Sequence, residues 1–510
     1  MRYLKRAVLL LSISSSLFSS AQNDLDALRY SRTDVFGSPR AVALGGAFGA
    51  LGADVSCAST NPAGLAIYRR GEMIYAGGLR FTNNYSKFEN KTSYAPNGNF
   101  AFSSFGMAFS NTNEKDATKR TTFCFSNNQL QNFNEEIILS NGSTRSSIAG
   151  DMLTLANDKK ILNQMNPSYE LLGYNSYLLD YDSLNNKFFT FMDLKRNHSL
   201  TRSISSSGRM NEINFSLSQA VDDKYYIGVS LGIPRVKYDY TMVHSEVDAN
   251  DSMKVTLTSA STYSTTYLDE LPFIYPQFLG FNSVAYTEYF RTTGYGLNLK
   301  IGGLLRVNSN FRFGGYIHTP TILYLNDIYS YSITTTFDSN TSNKLSAAYP
   351  DNMGTYEYKI ITPMKYGFNG AFIFNKMGAV GLDIESINYG RASISSSTPT
   401  DFDGVNAVIK NKYKTATNIR IGGELNIKPV MLRAGYAMNS SPFGGLFKGP
   451  FDRQTISFGA GLRTKSNLFF DVVWARTFTK EQYYIFSSAP IKSDLELRNT
   501  RFMVSVGLKF

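Results

Sequence analysis

Residues 501–510 read RFMVSVGLKF. Phe502, Val504, Val506, Leu508 and Phe510 share one face of a period-2 pattern, and Arg501, Ser505, Gly507 and Lys509 lie mostly on the other. That period puts one set of residues on each side of a β-strand. The strand ends on an aromatic ring, and the sequence ends with it. A soluble sandwich would show the same alternation, so the reading turns on how far the pattern extends and how its pieces are connected.

It extends over most of the chain. Ile227, Val229, Leu231 and Ile233 alternate with Gly228, Ser230 and Gly232; Val380, Leu382 and Ile384 alternate with Gly381, Asp383 and Glu385. Fourteen strand candidates start near Glu72, Gly98, Lys119, Arg209, Tyr225, Thr293, Phe311, Tyr356, Gly378, Tyr413, Val430, Arg453, Leu468 and Leu495. Short connections at 221–224, 308–310, 375–377, 428–429 and 465–467 are separated by long ones near 128–208, 240–290, 333–355, 391–412, 439–452 and 480–494. Alternating short turns and long loops are expected of a membrane barrel, with apolar residues facing lipid and a polar lumen. Such a barrel must close, because an open edge in lipid leaves backbone groups unpaired. The terminal strand resembles the C-terminal signature of bacterial outer-membrane barrels, which would make Phe510 an assembly signal read by barrel-assembly machinery. The expected fold is all-β: a transmembrane antiparallel β-barrel over 72–510, with fourteen strands and with twelve or sixteen also compatible.

Composition agrees. Thirty-three Tyr, 37 Phe and 40 Gly accompany only 43% hydrophobic residues, and no segment offers the 20 or so apolar residues of a helical span. Residues 1–21 carry a basic start (Arg2, Lys5, Arg6), a short apolar run and Ser19-Ser20-Ala21, which is the pattern of a cleaved signal peptide. Its removal lowers the net charge from +11 to +8. For an exported chain that charge speaks for solubility or attraction to anionic surface lipid, and against nucleic acid as a partner. His198, His244 and His318 are scattered and expected at the surface, with no metal-ligand spacing. GxSxG and GxxxxGK[ST] are absent, so neither a serine hydrolase nor a phosphate cradle is indicated, and no cofactor or catalytic residue is called for.

Between signal and barrel, residues 37–70 read GSPRAVALGGAFGALGADVSCASTNPAGLAIYRR. Gly45, Gly46 and Gly49 permit close backbone approach, and Asn61-Pro62-Ala63-Gly64 is a turn signal. With a barrel downstream, 22–71 reads as a plug. The ALGGAFGALGADVSCASTNPAGLA stretch, with Asn61, Pro62 and Ala63 matching an NPA motif, resembles the FadL family of outer-membrane transporters for long-chain fatty acids and other hydrophobic compounds, most closely its Bacteroidetes-type members. The resemblance implies a fourteen-stranded barrel with an N-terminal plug, ligand capture at the outer face among outer-membrane lipid and lipopolysaccharide, and sideways release through a gap in the wall. Some barrels resembling this family instead act as shuttles in protein secretion, which is the alternative reading.

Three expectations follow for named residues. Met152, Leu155, Leu162, Leu171 and Leu172, joined by Phe273 and Ile274, form either an apolar capture groove or packing of the loop onto its own rim. The family's inward kink in the third strand would fall at Asn127 and Asn128, where polar amides interrupt the apolar face, unless the strand has already left the bilayer there. Period 2 turns Cys124 toward the lumen, where Cys57 of the plug could meet it as a disulfide or lie beside it as a second free thiol.

Overall fold

The structure, a computed structural model, describes residues 23–113, 116–253, 256–259, 262–264, 278–338, 344–375, 377–444, 452–488 and 491–510. The expected signal peptide lies outside them, as do Phe273 and Ile274. No helix among the described residues is long and apolar enough to cross a membrane.

The chain forms one closed antiparallel sheet. Its fourteen strands are β1 Glu72–Phe88, β2 Lys91–Asn113, β3 Asp116–Asn132 continuing as Glu135–Thr144, β4 His198–Val221, β5 Tyr225–Val247, β6 Phe281–Arg306, and β7 Phe311–His318 continuing as Ile322–Phe337. Next come β8 Leu345–Ile361 continuing as Lys365–Phe374, β9 Gly378–Asn388, β10 Thr415–Ile427, β11 Val430–Asn439, β12 Arg453–Arg463, β13 Leu468–Tyr484 and β14 Lys492–Lys509. β14 closes on β1 in unbroken register from Glu72↔Lys509 to Phe88↔Ser493.

The alternation is that of a membrane barrel. On β14, Phe502, Val504 and Val506 are about half exposed, while Ser505 is 3% exposed toward the lumen. An outward apolar surface around a polar interior suits lipid outside and water or protein inside. Phe510 packs its ring beside Phe109 at 5.8 Å and donates its backbone N–H to Gly71 O at 3.0 Å, tying the last residue to the lower edge of the closing seam. Deleting Phe510 is therefore expected to cost most of the folded barrel, measured as the heat-modifiable band on a gel. Undiminished yield would remove the ring's role in assembly.

The strands run further than the alternation indicated. Ile333–Phe337 and Leu345–Thr355, expected in a long loop, continue β7 and β8, leaving a connection of only 338–344. β13 and β14 likewise reach Tyr484 and Lys492. β1 and β2 are joined by Glu89 and Asn90 alone, so one connection at the long-loop end is a tight turn. Beyond the apolar band the outward residues are mostly polar or small, such as Ser346, Tyr349, Thr355 and Lys492, with only scattered apolar ones such as Met353. Ladder hydrogen bonds still hold those segments, but no apolar signal marks them.

Candidate functional site

The plug fills the lower lumen. Backbone at Gly45 (φ +64°) and Gly46 (φ +84°) occupies the left-handed region, which turns the chain after the short helix Pro39–Ala43. The turn lies directly on the wall. A Cβ on Gly435 would fall 2.2 Å from Gly45 N, and one on Gly422 2.2 Å from Leu44 O. Gly49 abuts the Asn369 side chain in the same way. Inward glycines on β10 and β11 thus make room for plug backbone.

Asn61 is buried and links plug to barrel. Its Oδ1 accepts from Ala63 N at 3.1 Å, capping the 3-10 turn Pro62–Ile67, and its Nδ2 donates to Asn369 Oδ1 at 2.9 Å. Asn369 Nδ2 in turn donates to Asp383. Pro62 O accepts from Ser218 Oγ at 2.7 Å, and Ala63 packs fully buried in the plug core. Asp383 and Glu385 share Arg420, at 3.1 and 2.8 Å. Cys57 and Cys124 enter one apolar cluster as free buried thiols, the second of the two arrangements the sequence left open. All three histidines are buried rather than superficial, each beside a remote partner: His318 with Thr60 O, His244 with Arg202 Nε, and His198 with Ser146 O.

Above the plug, helix α1 (Asp24–Ser31) crosses the lumen behind an Asn23–Asp26 capping box. Its Asp24 accepts from Lys412 Nζ at 2.7 Å and from the Tyr413 hydroxyl, at the end of the outer-loop helix α2 (Asp403–Lys412). Between α1 and the plug turn, Asp34 faces Arg453, Arg501 and Arg80. Burial opposes its ionisation, but the three guanidiniums outweigh it and hold the carboxyl below its usual range.

The wall is interrupted at β3. β2 pairs with β3 only from Ser104↔Asn128 to Asn113↔Asp116, so the β2 edge over 91–103 has no partner strand there among the described residues. At the same level Leu130 is an extra residue: Gln129 pairs with Asn211 and Gln131 with Met210. Past this bulge β3 leaves β2, stays paired with β4 from Glu135↔Ser206 onward, and runs along the lumen side of β1. Arg80 donates to Asn132 O and Asn134 O, Asn84 to Glu136 O, and Ser86 to Ile138 O. Side chains of β1 thus satisfy the carbonyls that β2 has released. Asn128 does not face outward: it is fully buried, accepts from Ser104 Oγ at 2.7 Å and donates to Ser59 Oγ of the plug at 3.0 Å. Asn127, on the opposite face of the strand, is partly exposed.

The 145–197 loop caps the other end. Met152 and Leu172 are 0% and 1% exposed in a core shared with rim residues such as Phe88, Leu200 and Phe281, so they are packing rather than an open groove. Leu155 and Leu171 are half-buried against that core, and among the five described candidates only Leu162 is exposed, beside Ile161. Glu246 accepts from Ile148 N and Ser147 Oγ at 2.6 and 2.7 Å, pinning the start of the loop helix Ile148–Lys159 to β5.

No family model matches the sequence, and no curated protein does. Solved structures do. A FadL homologue from Pseudomonas aeruginosa is 12% identical, covers 94% of this chain and 100% of its own, and superposes with a TM-score of 0.53. The Pseudomonas putida toluene transporter TodX, also 12% identical over 94% and 99% of the two chains, overlays less well at 0.48. The fold of this chain is therefore the plugged fourteen-stranded barrel found in FadL-type structures.

Proposed function

We propose that the protein is an outer-membrane transporter for hydrophobic small molecules such as long-chain fatty acids, captured at the outer face and released sideways into the bilayer. The observation that carries this reading is the break between β2 and β3. A pore for polar solutes needs an open lumen, yet here the lumen is filled by plug while the wall beside it is unpaired. An apolar compound gains about 0.8 kcal/mol for each CH₂ kept from water, so leaving through the wall avoids the aqueous route below the plug. Ile161 and Leu162 offer an apolar contact at the outer surface, and movement of the plug would control access to the break.

Leu130 supplies the test. Deleting it removes the extra residue and lets β3 continue beside β2. Uptake of radiolabelled oleate should fall to the level of cells lacking the barrel, with folded barrel yield unchanged. Uptake at the parental rate would overturn release through this gap.

A further inference from the structure

Between α1 and the plug lies a cavity of about 60 Å³. At about 10–15 Å³ for each water-sized group, it holds about four to six of them. Its lining is not what a bare hydrocarbon requires. Glu212, Glu385 and Asp34 face it together with Lys300, Lys365 and Arg420, so the formal charges cancel.

Most of these groups are already engaged. Arg420 holds Glu385, Arg453 holds Asp34, and Lys300 donates to Glu212 Oε1 at 2.6 Å and to Asn298 Oδ1 at 2.7 Å. His318, also at the cavity, lies 2.6 Å from Thr60 O. Two groups keep unused capacity. Glu212 is 1% exposed, and its Oε2 has no hydrogen-bond partner among the described residues. Lys365 has neither a hydrogen bond nor an ion pair among them, although Glu385 first and Glu212 second are close enough to act on its charge. The cavity's other edge is apolar, formed by Phe36, Leu130, Met210 and Leu323, and Leu130 is the extra residue at the β3 break.

We propose that this cavity seats a zwitterionic head group, an ammonium and a carboxylate on one carbon at the end of an apolar chain. The ammonium meets Glu212 Oε2, the carboxylate meets Lys365, and the chain points along the apolar edge toward the break. The inference rests on the hydrophobic-uptake reading and narrows its substrate class. A plain carboxylate would satisfy Lys365 but leave Glu212 Oε2 unpaired beside a second negative charge; a plain amine would do the reverse. Leaving Glu212 Oε2 unpaired costs what an unpaired buried group costs, leaving the half-buried Lys365 unpaired costs less, and a lining without net charge favours a ligand without net charge. An α-amino acid head has five heavy atoms outside its chain, which suits the size of the space.

The test uses the full-length barrel in lipid nanodiscs, titrated calorimetrically with α-aminododecanoic acid, dodecanoic acid, dodecylamine and dodecane, against empty nanodiscs. The amino acid should bind about ten- to a hundredfold tighter than the acid or the amine, the factor one charge-assisted hydrogen bond carries. Lys365→Met should erase its advantage over dodecylamine, and Glu212→Gln its advantage over dodecanoic acid, in protein that keeps heat-modifiable mobility. Equal binding of the amino acid and dodecanoic acid, or an unchanged preference in both variants, overturns the head-group assignment and leaves the uptake reading standing. Failure of every probe to bind overturns both.

Discussion

Removal of residues 37–70 is expected to leave a folded barrel that leaks. The strands close on one another through β14 and β1 without help from the plug. The wall groups that now serve the plug, such as Ser218 and Asn369, would face a flooded lumen and find water, so their hydrogen bonds are exchanged rather than lost. Barrel yield should therefore hold. Permeability should not, because fourteen strands enclose a lumen wider than the side-chain-filled eight-stranded barrels and close to the water-filled porins. Liposomes carrying the truncated protein should swell in small sugars at a porin-like rate, while the intact protein gives almost none. Swelling that stays at the intact level would mean that another element, such as α2 or the 145–197 loop, seals the lumen.

Much of this architecture was legible because lipid enforces it. Every outward residue within the apolar band must be apolar, so β14 and the starts of β5, β7, β9, β11, β12 and β13 could be read from period 2 alone. Above the band that demand ends. The upper parts of β7 and β8 face outward with a mixture that runs from Ser346 and Thr355 to Asp351 and Met353, and their pairing left no trace in hydropathy. The break in the wall was partly legible. The interruption at Asn127 and Asn128 points to the right strand, but one extra residue at Leu130 sets the bend, and an extra residue shows only against its partner strand. Met152 and Leu172 stand out as apolar residues of a long loop, yet spacing cannot say whether they face ligand or rim. Nothing local to Gly422 or Gly435 distinguishes them from other small residues on a strand. Their purpose depends on plug backbone nearly four hundred residues earlier, as the burial of His318 depends on Thr60.

The second large effect is expected at Arg420. Its guanidinium stands between Asp383 and Glu385, and all three are less than a tenth exposed. Replacing it with Met leaves two buried carboxylates facing each other with only the Lys365 charge near Glu385 and no cation bonded to either, an error that typically costs about 3–5 kcal/mol. The damage should spread to the plug, because Asp383 accepts from Asn369 and Asn369 accepts from Asn61. Arg420 also lies against the plug turn itself: a Cβ on Gly46 would sit 3.0 Å from its Cδ. Arg420→Met should therefore lower the denaturation midpoint of the purified barrel and raise its sugar permeability toward that of the plug deletion. Asn61→Ala removes only the amide link and should cost about 1–3 kcal/mol, with a smaller leak. Neutralising the orphaned pair in the triple variant Arg420→Met, Asp383→Asn, Glu385→Gln should recover most of the stability, since the cost arises from unpaired charge and not from lost volume. If Arg420→Met destabilised the barrel no more than Asn61→Ala, or if the triple variant recovered nothing, the ion pair would not be what holds plug to wall.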